Sequence, residues 1–230
     1  EYYAMNAGLN QDAWGELLAE ERSSRQAPGS GEKRLLQQAL NIQEAHNDNF
    51  TTPAVADGYW AMFDYNRGYA DDLETSGVMG IFRLPKYSYY FFQSQRPAGE
   101  SIAGKPNEPM VFIASEFSES SSRDIRVFSN CEEVALQVNG NIIGTQKPDQ
   151  DRISGHLNHP PFTFRNIPFT PGSLIAIGKT DGIELASDTI ISAGEPARIV
   201  LEADLSGRPW ESGVKDAIFI YAKVIDENNQ

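Results

Sequence analysis

From Met110 onward the apolar residues of this chain recur at every second position, a pattern that few folds accommodate. MVFIASEF, DIRVFSN, EVALQVNGNIIGTQ, FTFRNIPF and SLIAIGKTDGIELASDTIIS are short runs separated by turn-forming residues. A strand sends successive side chains to opposite faces. Val134, Leu136 and Val138, alternating with Glu133, Ala135 and Gln137, therefore mark a single buried face. Asn139-Gly140 follows, a dipeptide suited to a two-residue hairpin because both central positions take positive φ. Ile142 and Ile143 resume on the returning strand. Several such strands between residues 106 and 192 predict an antiparallel β-sandwich.

The first 97 residues obey a different rule. Ala13, Trp14, Leu17 and Leu18, beginning after Asn10, share one helical face. Ser23 to Gly31 carries Pro28 and Gly29 and reads as a loop. Residues 32–46 give the clearest helix, with Leu35, Leu36, Ala39, Leu40 and Ala45 as its apolar stripe and Glu32 in its first turn. His46, near the end of that helix, suits a capping or surface role. After Pro53, AVADGYWAMFDY is a dense apolar run, predicted as a strand buried on both faces within residues 50–64. The polar cluster Asp64, Asn66 and Arg67 comes directly after it, where parallel α/β barrels keep their active sites. A turn around Pro85 leads into an amphipathic helix with Tyr87, Tyr90 and Phe91 on one side, although aromatics of this kind also suit a strand. The Pro/Gly-rich stretch RPAGESIAGKPNEP (96–109) marks a domain boundary, and Gly194-Glu195-Pro196 marks another. Residues 1–97, 106–192 and 193–230 are thus read as three units.

Composition narrows the function. Nineteen basic against 32 acidic residues leave a net charge of −13, which argues against a nucleic-acid or anionic-membrane surface. No apolar run reaches the ~18 residues of a membrane span. One cysteine, Cys131, permits no internal disulfide and reads as a small buried hydrophobe. Gly-rich nucleotide loops, HExxH and EF-hand patterns are all missing. His156 and His159 lie three apart, but without acidic or Cys companions they read as a surface turn. No metal or organic cofactor is expected.

GYWAMFDYNRGY (58–69) and SGVMGIFRLPKYSYYFFQSQR (76–96) together resemble the end of the catalytic barrel of glycoside hydrolase family 2. VFSNCEEVALQVNGNIIG (127–144) is similar to the immunoglobulin-like domain that follows that barrel, and ARIVLEADL with AIFIYAKVIDENN is similar to the opening of a further sandwich. The resemblance implies a multi-domain chain: the C-terminal part of a (β/α)8 TIM barrel, an immunoglobulin-like antiparallel sandwich and the start of another β-domain. An incomplete barrel would leave apolar surface around Ala54–Phe63 uncovered unless a further segment closes over it.

The activity implied is that of a retaining exo-β-glycosidase, β-galactosidase-like, acting on terminal β-linked sugars. Such hydrolysis uses two carboxylates roughly 5–5.5 Å apart, one an acid/base and the other a nucleophile. The resemblance places the acid/base upstream of residue 1, so this chain alone is expected to be inactive. Glu1, followed by Tyr2, is the candidate nucleophile within the chain; on a second alignment the nucleophile also lies upstream. Trp60 matches an aromatic that stacks on sugar rings, against the alternative of a core Trp. Asp64, Asn66 and Arg67 are candidate partners for sugar hydroxyls, against a salt-bridged turn. Tyr65 and Tyr69 are either subsite aromatics or packing residues, and Lys86 is read as neutralising acids at the barrel edge. The Asn-x-Lys motif that meets a uronic carboxylate in the family's glucuronidases is absent from residues 76–82, which disfavours that substrate.

The rival reading is a non-catalytic carbohydrate-binding or structural module. Between residues 110 and 190 the aromatics are all Phe, the aromatic of cores, so scaffolding is favoured over glycan binding. The partners expected are a carbohydrate substrate and the remaining N-terminal part of the same enzyme. The compartment expected from the family is the periplasm or the cell exterior.

Overall fold

The computed structural model describes residues 27–69, 71, 73–102, 104–205, 207, 209, 213 and 217–230. Glu1 and the expected helix around Trp14 lie outside these residues. A 3-10 turn at Pro28–Ser30 leads into helix α1 (Glu32–Asn49). Strands β1 (Tyr65–Asn66) and β2 (Leu73–Glu74) form a two-residue antiparallel pair. Helix α2 (Tyr87–Ser94) follows, then a small hairpin of β3 (Ser101–Ile102) and β4 (Lys105–Pro106).

Two antiparallel sheets fill the middle of the chain. One contains β5 (Val111–Ala114), β6 (Ile125–Ser129) and β9 (Phe162–Phe164), in that order. The other uses β7 (Glu133–Val138), β8 (Asn141–Gln146), β10 (Ser173–Thr180) and β11 (Ile183–Ile191), in the order β11–β10–β7–β8. Between them lies a core of Ile113, Ile125, Val127, Val134, Leu136, Phe162, Phe164 and Leu174. Val134 and Leu136 are fully buried, as their alternation predicts. Asn139 and Gly140 both take positive φ, 50° and 78°, and Val138 pairs with Asn141 across the turn. Cys131 is buried with a free thiol, and a Cβ on Gly178 would come within 2.7 Å of its sulfur.

The three-stranded sheet is covered on its other face as well. Phe128 of β6 and Ala114 of β5 pack with Ala39 and Ile42 of α1, Phe91 of α2, and Leu157. Tyr90 stacks on Phe112, with ring centroids 3.6 Å apart. Strand β5 therefore has no solvent side, which is why Val111-Phe112-Ile113-Ala114 is an unbroken apolar run. Burying a side chain such as Ile42 or Phe91 contributes roughly 1.5–3 kcal/mol, so the two helices are bound firmly to the sandwich.

Polar brackets fix the register of that contact. The Glu32 carboxylate accepts hydrogen bonds from the backbone amides of Glu116 and Ser122 and from the hydroxyls of Ser115 and Ser121. Gln43 donates to the Ile153 carbonyl (3.0 Å) and the Ser154 hydroxyl (2.9 Å), and accepts from Arg126. Asn47 donates to the Arg152 carbonyl and accepts from the His156 amide. The buried side of α1 thus differs from the predicted stripe. Leu35 and Ala39 are buried as expected, but Leu36, Leu40 and Ala45 are only half-buried, while Gln37, Gln38, Asn41, Gln43 and Asn47 are buried. These amides are tolerated inside because partners meet their donors and acceptors.

The predicted buried strand within residues 50–64 is not present. Residues 51–58 and Trp60 are exposed and without regular structure, and Phe63 makes a single parallel bridge to Met79. A parallel strand of this kind needs neighbours on both edges and cover on both faces, and the described residues supply one short neighbour. Phe50, Val55, Trp60, Met62, Tyr69, Phe82 and Leu84 stand exposed around this region, the uncovered apolar surface that the sequence predicts.

Beyond the sandwich, β12 (Arg198–Asp204) and β13 (Phe219–Ile225) pair antiparallel as a two-stranded ribbon. Ile199, Leu201, Ile220 and Val224 of this ribbon are exposed.

Candidate functional site

Residues 59–64 lie along the segment 74–79, and backbone hydrogen bonds lace the two together. Val78 N donates to Ala61 O, Met79 N to Met62 O and Asp64 N to Met79 O, at 2.9–3.0 Å. The Tyr59 hydroxyl donates to Ser76 O at 2.5 Å. A Cβ on Gly77 would stand 2.3 Å from Asp64 N and 2.4 Å from Phe63 C, so only glycine permits this approach. The Trp60–Ala61 peptide is cis. The result is a ledge with Trp60 at its rim.

Trp60 is 63% exposed. Its indole N–H donates to the Tyr65 hydroxyl at 3.0 Å, and the two rings meet edge to face at 6.1 Å. The ring is therefore oriented while its surface stays open, as an aromatic platform requires. On another side of the ledge a cleft of about 370 Å³ is lined by Tyr59, Met62, Val78, Tyr89, Phe92 and Arg96, among others.

Beneath the rim lies a buried ion pair. Lys86 Nζ is 2.7 Å from Asp64 Oδ1 and 2.8 Å from the Thr75 carbonyl. Neither side chain reaches solvent appreciably, at 0% and 2% exposure. Gly77 N donates to the same Asp64 oxygen at 3.0 Å. Burial pushes the Asp64 carboxyl above its usual range and the Lys86 ammonium below its own, and their mutual attraction opposes both shifts. Arg67 pairs with Glu74 at 2.9 Å across the β1–β2 pair. The Asn66 carboxamide oxygen accepts from Gly68 N at 2.9 Å, closing a local turn. The predicted polar residues thus occupy one neighbourhood but do different things there. Asp64 anchors the ledge from within, Arg67 tethers β1 to β2, and Asn66 is exposed and shapes the turn.

Comparison with known proteins gives this neighbourhood a context. A β-galactosidase from Thermoanaerobacter pseudethanolicus is 35% identical over 186 residues, 74% of this chain and 24% of that protein. A β-galactosidase from Bacteroides ovatus is 25% identical over 176 residues, 73% of this chain and 18% of the relative. A solved β-glucuronidase from glycoside hydrolase family 2 superposes with a TM-score of 0.55 at 25% identity, over 69% of this chain and 15% of the other. This chain is a homologue of the glycoside hydrolase family 2 β-glycosidases. It spans about a quarter or less of the length of the curated relatives it matches. Residues 121–186, inside the sandwich, match the family described as "Domain of unknown function (DUF4982)". A β-glycosidase from Bacteroides vulgatus shares the fold, with a TM-score of 0.58 at 21% identity, over 74% of this chain and 20% of that one.

In this homologue of the family 2 enzymes, the sequence singled out Trp60 and the residues around it as candidates but not what holds them. Gln38 of α1 donates to the carbonyls of Ser76 (3.3 Å) and Gly77 (3.2 Å) and accepts from the Ser88 hydroxyl (3.0 Å). The available signal was the composition of α1, where Gln37, Gln38, Asn41, Gln43 and Asn47 are amides at positions where a solvated face would carry Lys and Glu. The partner of His46 is a loop carboxylate: the imidazole Nδ1 lies 2.7 Å from Asp57 Oδ2, which also accepts from Asn49. Burial raises the Asp57 carboxyl, but these hydrogen bonds and the attraction of His46 outweigh it and hold the pKa below the usual value. His156 is exposed and His159 half-buried, in and just after a turn beside Arg152.

Proposed function

We propose that the chain forms the distal part of a retaining exo-β-glycosidase, β-galactosidase-like, in which the 59–79 ledge is one wall of the sugar site. The observation that carries this reading is Trp60, an exposed indole held in one orientation by Tyr65 on a ledge that tolerates little movement. The axial C–H face of a pyranose suits such a ring. The catalytic carboxylates come from sequence outside the described residues, so Glu1 or a residue upstream of it serves as nucleophile. A β-galactoside is favoured over a β-glucuronide because no Asn-x-Lys occurs in residues 76–82 and the nearby Arg67 is engaged by Glu74.

The α1–α2 unit then belongs to the end of the catalytic barrel, and the sandwich serves as its support. A glycan-binding role for the sandwich has little to rest on. Phe117, Phe128, Phe162 and Phe164 are buried, and Phe112 and Phe169 pack against the cores.

The test is to express the full-length protein and follow hydrolysis of aryl β-galactosides and β-glucuronides by proton NMR of the released anomer. The expected result is β-galactoside cleavage with the β-anomer appearing first. Release of the α-anomer first, or preference for the glucuronide, would overturn the reading.

A further inference from the structure

We propose that the sandwich acts on the sugar-facing wall through helix α1, with Gln38 as the positioning residue. This inference rests on the reading of the ledge as a sugar site and adds a role for the sandwich and a residue that transmits it. Helix α1 lies between two sets of polar brackets. Toward the sandwich it presents Glu32, Gln43 and Asn47, each bonded to loop backbone 84 or more residues away in sequence. Toward the ledge it presents Gln38, which is fully buried. The Gln38 amide reaches Ser76 O and Gly77 O, and lies 3.5 Å from the Tyr59 hydroxyl.

Those contacts sit at the root of the site. Ser76 O also receives the hydroxyl of Tyr59, the residue before Trp60. Gly77 N bonds the carboxylate of Asp64, the residue that Lys86 pins from below. Moving the Ser76-Gly77 peptide therefore displaces the backbone on both sides of Trp60. A helix bracketed near both ends to the sandwich, and at Gln38 between them to this peptide, fixes where the indole stands. Displacements of ~1 Å at such a wall cost up to about a hundredfold in rate.

The amide chemistry distinguishes this role from simple packing. Gln38 donates to the two ledge carbonyls and accepts from Ser88 of α2. Gln38→Glu keeps the size and the acceptor but removes the donors. Gln38→Met keeps the volume and removes both functions. Ser88→Ala is a milder variant that removes only the acceptor's partner.

The experiment has two arms. In the 230-residue chain, the indole ¹H–¹⁵N resonance of Trp60, assigned with Trp60→Phe, is compared among the wild type, the three variants and Gln43→Met, which cuts the sandwich-side bracket. The expected result is a shifted or broadened Trp60 resonance in Gln38→Glu, Gln38→Met and, to a smaller degree, Gln43→Met, at temperatures well below each melting point. An unmoved resonance in folded Gln38→Glu and Ser88→Ala proteins would overturn the proposal. In the full-length enzyme, kcat/KM for an aryl β-galactoside should fall on the order of tenfold in Gln38→Glu, mainly through KM, because stacking serves ground and transition states alike. Unchanged kcat and KM would overturn it. A wild-type enzyme with no β-galactosidase activity would sink the functional reading, while the resonance arm still decides the coupling.

Discussion

Replacing Lys86 by Met should do more damage than its place at the start of helix α2 suggests. Lys86 has no solvent exposure, and its ammonium meets Asp64 at 2.7 Å and Thr75 O at 2.8 Å. Methionine fills similar space but leaves the Asp64 carboxylate buried with the Gly77 amide as its remaining hydrogen-bond donor among those described above. Removing one member of a buried pair costs about 3–5 kcal/mol, because the other charge is stranded away from water. For a chain of this size that corresponds to roughly 6–20 °C in melting temperature. The double variant Lys86→Met/Asp64→Asn removes the stranded charge and should recover a large part of the loss. Low pH should relieve the single variant too. Burial raises the Asp64 carboxyl in the fold, and losing Lys86 raises it further, so the folded form holds the proton more tightly than the unfolded form. The penalty is therefore smallest below the unfolded pKa of about 3.9 and grows as pH rises through the folded value. The assay is a urea melt of the wild type and the variants at pH 4 and pH 7.5. A Lys86→Met cost below about 1 kcal/mol at pH 7.5, or a double variant no better than the single, would refute the stranded-charge argument.

Gly77→Ala should collapse the ledge, since the added Cβ would lie 2.3 Å from backbone nitrogen; an unchanged Trp60 fluorescence spectrum and melt would contradict that. Asn139→Ala should cost about 1–2 kcal/mol by thermal melt. The residue sits at φ 50°, its carboxamide accepts from Ser173 N and donates to Pro171 O, and alanine provides none of this. Burial holds the His159 imidazole below its usual pKa, against the pull of Glu100. The unfolded chain therefore takes up a proton first, and His159 should subtract stability as pH falls below about 6.5, a slope that His159→Asn should reduce in melts between pH 5 and 8.

The sandwich was legible because its signals are local. Alternation at Val134, Leu136 and Val138 names the buried face, and Asn139-Gly140 names the turn. Helices α1 and α2 were legible for the same reason, through stripes at helical spacing. Residues 50–64 were misread because an apolar run reports that burial is intended, not which segment supplies it; Trp60 and Met62 remain exposed among the described residues. At the candidate site, Trp60 and Asp64 were picked out, but their roles separated only in three dimensions. Whether a carboxylate faces a sugar or a buried lysine depends on Lys86, 22 residues away, and on the Gly77 amide. The amides of α1 hinted at a buried polar face, but Gln38 could not be singled out, because a buried glutamine and a solvated one look alike until the carbonyls it meets are known.

If Trp60 is the wall on which the sugar stacks, as proposed above, Trp60→Ala in the full-length enzyme should weaken catalysis and spare the fold. The measurement is kcat/KM on an aryl β-galactoside beside a thermal melt. With the indole 63% exposed, the change should leave the melting temperature nearly unaltered. Loss of stacking should lower kcat/KM by about 1–3 kcal/mol, or roughly five- to two-hundredfold. A fall in melting temperature matching a core cavity of about 3–5 kcal/mol, with kcat/KM unchanged in the folded protein, would contradict the account.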